Sequence, residues 1–214
     1  TPTDTLMVLL YCFCIGALTG ALFKEQITRP LGEWLKMNLY YLLRNKLDHL
    51  RFRIILMGFD SVETLMDIGC GNNPQKFIEV TRMHYTVDPA ICKSTVGDYI
   101  HLTATWETAL KLIPKNYIDT VVLMDVVEHL EKKEALRLLE ETKLYANQIV
   151  VFTPLGFLEQ NDTENTWNCH RSAWHTEDFG ERWTVEVFPH FHWCDFKGKV
   201  FDKPKGAILA VWRK

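Results

Sequence analysis

The sequence predicts an α/β fold built on a doubly wound, mainly parallel sheet, and three observations predict it. From residue 60 onward, short apolar runs alternate with helical patterns, as expected of strands buried on both faces by intervening helices. The first run, Thr64-Leu65-Met66-Asp67-Ile68, ends in Gly69-Cys70-Gly71. That describes a strand feeding a glycine turn, where bare backbone can approach a ligand. Asp88 follows Gly71 by 17 residues and closes a second run, His84-Tyr85-Thr86-Val87, where a carboxylate can take both hydroxyls of a ribose. Ligands of such sheets lie beyond the carboxyl ends of the strands, so Gly69, Gly71, Asp88, Asp98 and Asp125 are expected to converge on one crevice for an adenosine derivative.

Taken in order, the elements begin with residues 5 to 23, an uncharged apolar run of 19. At about 1.5 Å per residue it nearly matches a hydrocarbon core of about 30 Å, and a membrane-spanning anchor helix over 1–23 is the expectation. The only charge ahead of the run is Asp4 and the basic residues follow it, which argues against a signal peptide and places residue 24 onward in the cytoplasm. The alternative is a buried helix of a soluble cytoplasmic protein. Gly16 and Gly20 have the spacing that lets two helices approach in lipid, hence a possible homodimer. Residues 24–59 read as a basic connector. Within it, 29 to 58 divide into two helices with a bend near Pro30 and Gly32, and their aromatic and basic side chains suit either an anionic lipid surface or a cap on the sheet. The catalytic domain is then 60–214. A strand at 62 to 68 is followed by a helix over Gln75 to Thr81 and a strand over His84 to Asp88. Next come a helix over Trp106 to Ile113, a strand over Tyr117 to Met124, a long helix over Glu128 to Tyr145 and a strand over Asn147 to Pro154. Val185 to Phe188 and Ala207 to Trp212 add two closing strands.

The cofactor class turns on what the glycine turn lacks. A dinucleotide fingerprint requires a third glycine three residues past the second, and that position is Pro74; no Gly-Lys-Ser/Thr ending of a phosphate loop occurs either. With Asp67-x-Gly69-x-Gly71 closing one strand and Asp88 closing the next, the chain resembles class I S-adenosylmethionine-dependent methyltransferases. The resemblance extends to Gly97-Asp98-Tyr99, to Met124-Asp125-Val126-Val127-Glu128-His129-Leu130 and to Val150-Val151-Phe152-Thr153-Pro154, and covers roughly residues 60 to 214. It implies a seven-stranded Rossmann-like sheet with an antiparallel last strand, and S-adenosyl-L-methionine as cofactor. It also implies cofactor contacts from Asp67, Gly69, Cys70, Gly71, Asp88, Pro89, Asp98, Tyr99, Asp125 and Val126.

Composition limits partner and acceptor. The chain has 214 residues, 47% of them hydrophobic, and a net charge of −3. Residues 24 to 58 hold seven basic and three acidic side chains, leaving 17 basic against 24 acidic elsewhere, net −7. A nucleic-acid substrate is disfavoured by that balance. No Asn/Asp-Pro-Pro-aromatic motif follows the fourth strand, and neither Cys70 nor Cys92 has the context of a cytosine-methylating nucleophile. The stretch from Asp125 to Leu130 looks more like small-molecule, quinone and lipid methyltransferases. A small or lipid-like acceptor at the membrane is therefore expected, with a tethered protein methyltransferase or a non-catalytic binding scaffold as alternatives. His129, His170 and His175 are the candidate proton acceptors, the last two in the long loop from Thr153 to Phe179. Glu128 suits equally a structural support and an active-site wall. Six cysteines without paired spacing read as free thiols. No metal is expected: the clusters of Cys169 with His170 and His175, and of Cys194 with His190 and His192, match no zinc spacing, and methyl transfer needs none.

Overall fold

The computed structural model describes residues 30–90, 99–194 and 200–214. The proposed span 5–23, Gly16, Gly20, Cys92 and Asp98 lie outside them. No helix among the described residues is long and apolar enough to cross a membrane. Residues 41–214 form a compact unit that contains the sheet.

The elements are α1 (Pro30–Met57), β1 (Val62–Ile68), β2 (Val80–Asp88), β3 (Tyr99–Thr103), α2 (Trp106–Lys111), β4 (Ile118–Met124), α3 (Lys132–Thr142), β5 (Ala146–Pro154), β6 (Trp183–Cys194) and β7 (Val200–Arg213), with 3-10 turns at Val127–His129, Thr166–Asn168 and Thr176–Asp178. They build one seven-stranded sheet in the order β3-β2-β1-β4-β5-β7-β6. The first five strands are mutually parallel, and β7 runs antiparallel to both β5 and β6. The strand order reverses between β1 and β4, and a crevice at the carboxyl ends of strands is expected there.

Alternation along the strands gives the sheet two buried faces. Met66, Val121, Leu123, Ile149 and Val151 pack on one side with Trp106, Ala109 and Leu110 of α2 and Ala135, Leu138 and Leu139 of α3. Leu65, Val122, Val150 and Phe152 pack on the other with Phe188, Phe191 and the side chains of Phe52 and Ile55 from α1. Phe52 is the hub of that second layer: its ring centroid lies 4.5 Å from Phe152, 5.1 Å from Phe191 and 5.6 Å from Phe188. Polar staples fix the same helix to β6. Asn45 Nδ2 donates to the Phe191 and His190 carbonyls at 2.6 and 2.8 Å, and the His190 N–H donates to Asp48 Oδ2 at 2.7 Å.

Four expectations are corrected. The segment read as two helices forms one, Pro30–Met57, opened by Pro30, whose missing N–H costs nothing in a first turn, and Gly32 lies inside it. No helix forms over Gln75 to Thr81. There the Gln75 side chain accepts the Phe77 and Ile78 N–H groups at 3.0 and 3.1 Å, the Val62 N–H donates to the Glu79 carbonyl at 2.9 Å, and β2 is already paired with β1 from Val80. The long helix expected over Glu128 to Tyr145 is broken at Leu130, which is extended (φ −97°, ψ 153°), so a 3-10 turn precedes α3. β3 was not expected from the sequence; it is a five-residue strand with no fully buried position. The two closing strands are longer than expected.

Replacing Phe52 with Ala removes the hub of the α1 face. It is expected to lower unfolding free energy by about 2 to 4 kcal/mol, at the low end of buried aromatic truncations because Phe52 is only partly buried; urea denaturation measures it.

Candidate functional site

The turn after β1 is positioned by contacts only glycine permits. Gly69 and Gly71 have φ of +72° and +52°, left-handed values that cost other residues energy. A Cβ on Gly69 would stand 2.5 Å from Val126 Cγ2, whereas a Cβ on Gly71 would meet nothing within 4 Å. The first glycine is thus required for packing and the second leaves open space above its backbone. The Gly69 and Cys70 N–H groups both donate to the Val87 carbonyl, at 2.7 and 3.3 Å. Asp88 completes the closure: Oδ2 accepts the Gly71 N–H at 2.9 Å and Oδ1 the Ala90 N–H at 2.8 Å. A carboxylate has about four lone-pair sites, so both oxygens retain capacity toward the crevice.

That crevice, about 440 Å³, is bordered by Gly69, Gly71, Asp88, Pro89, Asp125, Val126 and His129, seven of the residues expected there. It is also walled by Trp106, Glu107, Glu134, Asn165, Trp167 and Asn168. The sequence singles out none of these six as site residues. Four of the lining side chains are acidic, and no Lys or Arg is among the described residues that line it.

The other expected residues sit elsewhere. Asp67 is buried behind the turn, where Oδ2 accepts the Gln75 N–H at 2.8 Å. Burial pushes its carboxyl up to about 7, against the lowering effect of the Gln75 hydrogen bond, and the nearby Asp88 charge adds to the rise. Cys70 is buried, and its thiol donates to the Gly71 carbonyl at 3.5 Å. Tyr99 opens β3 with its ring edge-on to His84 at 4.7 Å, off the crevice wall. His175 is exposed at the start of the turn Thr176–Asp178. His170 is buried against His129, with ring centroids 4.6 Å apart.

Behind the crevice wall the turn after β4 concentrates titratable groups. Asp125 has φ +54°, a strained value that non-glycine residues keep mainly where a side chain must be aimed. Its carboxyl opens to the crevice, yet the enclosing walls desolvate it and push it up to about 6, against a lowering hydrogen bond with Glu128. Glu128 is 2% exposed. Burial first, then the Asp125 charge, holds its carboxyl well above the usual range. Its Oε2 accepts from Thr153 Oγ1 at 2.9 Å, and the carboxyl shares a hydrogen bond with Asp125. Burial, and then the neighbouring His170, lowers His129 to about 4; burial lowers His170 also. Both imidazoles are therefore neutral at pH 7. One donor atom from each of Glu128, His129 and His170 lies within 4.8 Å of the others. The sequence hinted at this group only through Glu128-His129; His170 associates with them and not with a His170, His175 and Cys169 set.

No protein-family model matches the chain, and no curated protein matches its sequence. Its fold does have solved counterparts. A SAM-dependent methyltransferase from Archaeoglobus fulgidus superposes with a TM-score of 0.52 at 18% identity, covering 80% of this chain and 94% of that one. The plantazolicin methyltransferase BamL matches with a TM-score of 0.49 and 11% identity over 85% of this chain and 91% of its own. The small RNA methyltransferase HEN1 gives 0.49 and 16% over 79% and 26%. The sheet of this chain thus has the class I S-adenosylmethionine-dependent methyltransferase fold.

Two outcomes check the turn. Gly69→Ala is expected to destabilise by about 2 to 4 kcal/mol, summing left-handed strain and overpacking. Adding Val126→Ala should recover the packing part and leave about 1 to 2 kcal/mol, measured by chemical denaturation. The second concerns pH. The Asp67 carboxyl, at 3.8 ordinarily and about 7 folded, binds more protons in the folded state between those values. Its contribution is fully present below about pH 4 and is lost as pH rises through 7, by an amount on the order of a few kcal/mol. Asp67→Asn keeps an acceptor oxygen for the Gln75 N–H and removes the charge. Relative to that variant, the wild type should lose melting temperature between pH 5 and pH 8.

Proposed function

We propose that this chain is an S-adenosylmethionine-dependent methyltransferase that methylates a small or lipid-like acceptor at the cytoplasmic face of a membrane. The observation that carries the reading is the convergence of Gly69, Gly71, Asp88 and Asp125 on one crevice at the point where the strand order reverses. The residues fit the cofactor: open space over Gly71 admits a ligand against bare backbone, and Asp88 ends the second strand with lone pairs available for ribose hydroxyls. The volume lies within the range of small-molecule sites. An acidic lining also suits a cation.

When bound, the cofactor would supply a methyl already activated by a sulfonium charge. The chain's own residues then have to position and enclose. Asp88 would hold the sugar, the Gly69–Gly71 backbone would receive the amino-acid end, and Trp106 and Trp167 would shield the reacting atoms from water. His129 is neutral and borders the crevice, so it can take an acceptor proton. His170 touches His129 and not the crevice, which makes it a positioning residue. His175 has no part in this reading.

The acceptor class rests on charge. A polyanion such as nucleic acid would meet Asp88, Glu107, Asp125 and Glu134, with no Lys or Arg among the described residues that line the crevice to receive its phosphates. The membrane placement rests on the apolar run 5–23 and the basic residues that follow it, with the soluble cytoplasmic protein as its alternative.

Calorimetry with S-adenosylmethionine and with a nicotinamide dinucleotide tests the cofactor: the first should bind and the second should not. Asp88→Ala should weaken the first by roughly 1 to 3 kcal/mol, the range for hydrogen bonds to a charged group; unchanged affinity would reject the site. Supplying the full chain with methyl-labelled cofactor and whole-cell extracts should place the label in the lipid and quinone fraction. Label recovered in RNA or protein instead would overturn the acceptor class.

A further inference from the structure

We propose that the outward face of α1 over residues 43–57 is a docking surface for an anionic lipid bilayer, on which the helix lies flat. This surface rests on the membrane placement proposed for the chain and deepens it; it does not depend on methyl transfer.

α1 carries two stripes, because residues three and four apart share a helix face. One stripe, Asn45, Asp48, Phe52 and Ile55, meets the sheet. Asn45 and Asp48 are hydrogen-bonded to β6, and Phe52 and Ile55 enter the core layer that holds Phe152 and Phe188. The other stripe, Leu43, Leu47, Leu50, Ile54 and Met57, repeats the same spacing and, at about 100° per residue, falls on the opposite side of the helix. None of its members belongs to either core layer. Ile54 is 46% and Met57 83% exposed, and the three leucines are half-buried. A single apolar stripe suffices to seat a helix on a sheet, so the second is available to a partner.

Charge identifies that partner. Arg44 and Arg51 flank one edge of the stripe and Lys46 and Arg53 the other, all four exposed. Arg51 is paired with Glu186 of β6. Asp48, the only acidic residue between 41 and 57, is buried on the sheet side. The outer face is therefore apolar at its centre and cationic along both edges. A bilayer surface offers those two chemistries at adjoining depths: the leucines enter the headgroup boundary while the flanking cations reach phosphates. A second copy of the chain fits worse, since stripe against stripe would set like charges together along both edges. Length also favours lying over crossing. From Leu43 to Met57 the stripe runs about 21 Å at about 1.5 Å per residue, short of a hydrocarbon core of about 30 Å.

The test follows oxidation of Met57 in the full chain by peptide mass spectrometry after brief exposure to hydroxyl radicals. Met83, partly buried on the opposite face of the sheet, is the internal reference. The chain is treated without lipid, with phosphatidylcholine vesicles, and with vesicles containing about one third phosphatidylglycerol. Met57 should oxidise freely in the first two cases and at least about fivefold more slowly in the third. The double variant Lys46→Glu, Arg53→Glu leaves the sheet-facing stripe intact and should remove the protection. Slow oxidation of Met57 without lipid would mean that a second copy or the chain's own residues 1–29 cover the stripe, and overturns the proposal. Equal protection by neutral and anionic vesicles, or equal protection of the wild type and the double variant, overturns it as well. Flotation of the chain with both kinds of vesicle while Met57 stays unprotected rejects this surface and leaves the membrane placement standing. Protection of Met57 with no methyl label entering lipid rejects the acceptor class and leaves the surface standing.

Discussion

The crevice depends on the close approach of Gly69 to Val126. The turn after β1 and the turn after β4 are packed so tightly that a single methyl group on Gly69 would fall at 2.5 Å from a valine carbon. Interiors at native density do not yield to such an intrusion without displacing backbone. The contact matters because β1 and β4 are the strands between which the order reverses. Gly69 and Cys70 are hydrogen-bonded to Val87 at the end of β2, and Asp125 N–H donates to the Phe152 carbonyl of β5 at 2.9 Å. Four strand ends are thereby held together around one absent side chain. Gly71, Asp88, Asp125 and His129 reach a common space as a consequence.

The loop after β5 forms the other wall, and it is anchored through main chain. The Glu128 carbonyl receives the Arg171 and Ser172 N–H groups, Ser172 Oγ donates to the Val127 carbonyl at 3.1 Å, and Arg171 donates to the carbonyls of His129 and Thr166. Further along, Lys132 Nζ donates to the Ala173 carbonyl and to Asp178, and lies 3.7 Å from the Trp174 ring centroid. Trp174 is wholly buried. A loop held at both ends of its polar stretch in this way presents Asn165, Trp167 and Asn168 to the crevice from a fixed base, the support that loop-borne functional side chains require.

Legibility in the sequence followed the strength of local signal. β1, β4 and β5 each contain an apolar stretch buried on both faces, and they lie within a residue of where the sequence puts them. Gly69, Gly71 and Asp88 were readable because turn and carboxylate chemistry are local. What failed was decided by partners distant in sequence. Gln75 to Thr81 has helical composition, yet pairing of Val80 with Val62 draws it into the sheet. β3 is an edge strand of five residues with nothing fully buried, so its periodicity is weak. The helix expected from Glu128 was interrupted because Glu128 and His129 are tied to residues about forty positions away. The same separation hid the Glu128, His129 and His170 group, since spacing arguments search for ligands near one another in sequence. Tyr99 illustrates the converse: its neighbours along the chain suited a ligand contact, and its ring went to His84.

Electrostatics gives the site its direction. Of the four acidic side chains on the crevice, Glu107 is offset by Arg137 at 2.7 Å, whose guanidinium also covers Trp106 at 4.9 Å. Asp88, Asp125 and Glu134 remain on walls partly screened from bulk water, where a charge acts more strongly than on an open surface. The field they create attracts positive charge, and its source is built in twice: in the side chains of the crevice and in the excess of acidic residues outside residues 24 to 58. A ligand with a fixed positive centre gains from this field whenever the crevice carboxyls are ionised. A ligand that must first lose a proton gains only if a cation sits near its oxygen, because the surrounding carboxylates otherwise oppose the developing negative charge. An acidic crevice therefore agrees with a cationic methyl donor.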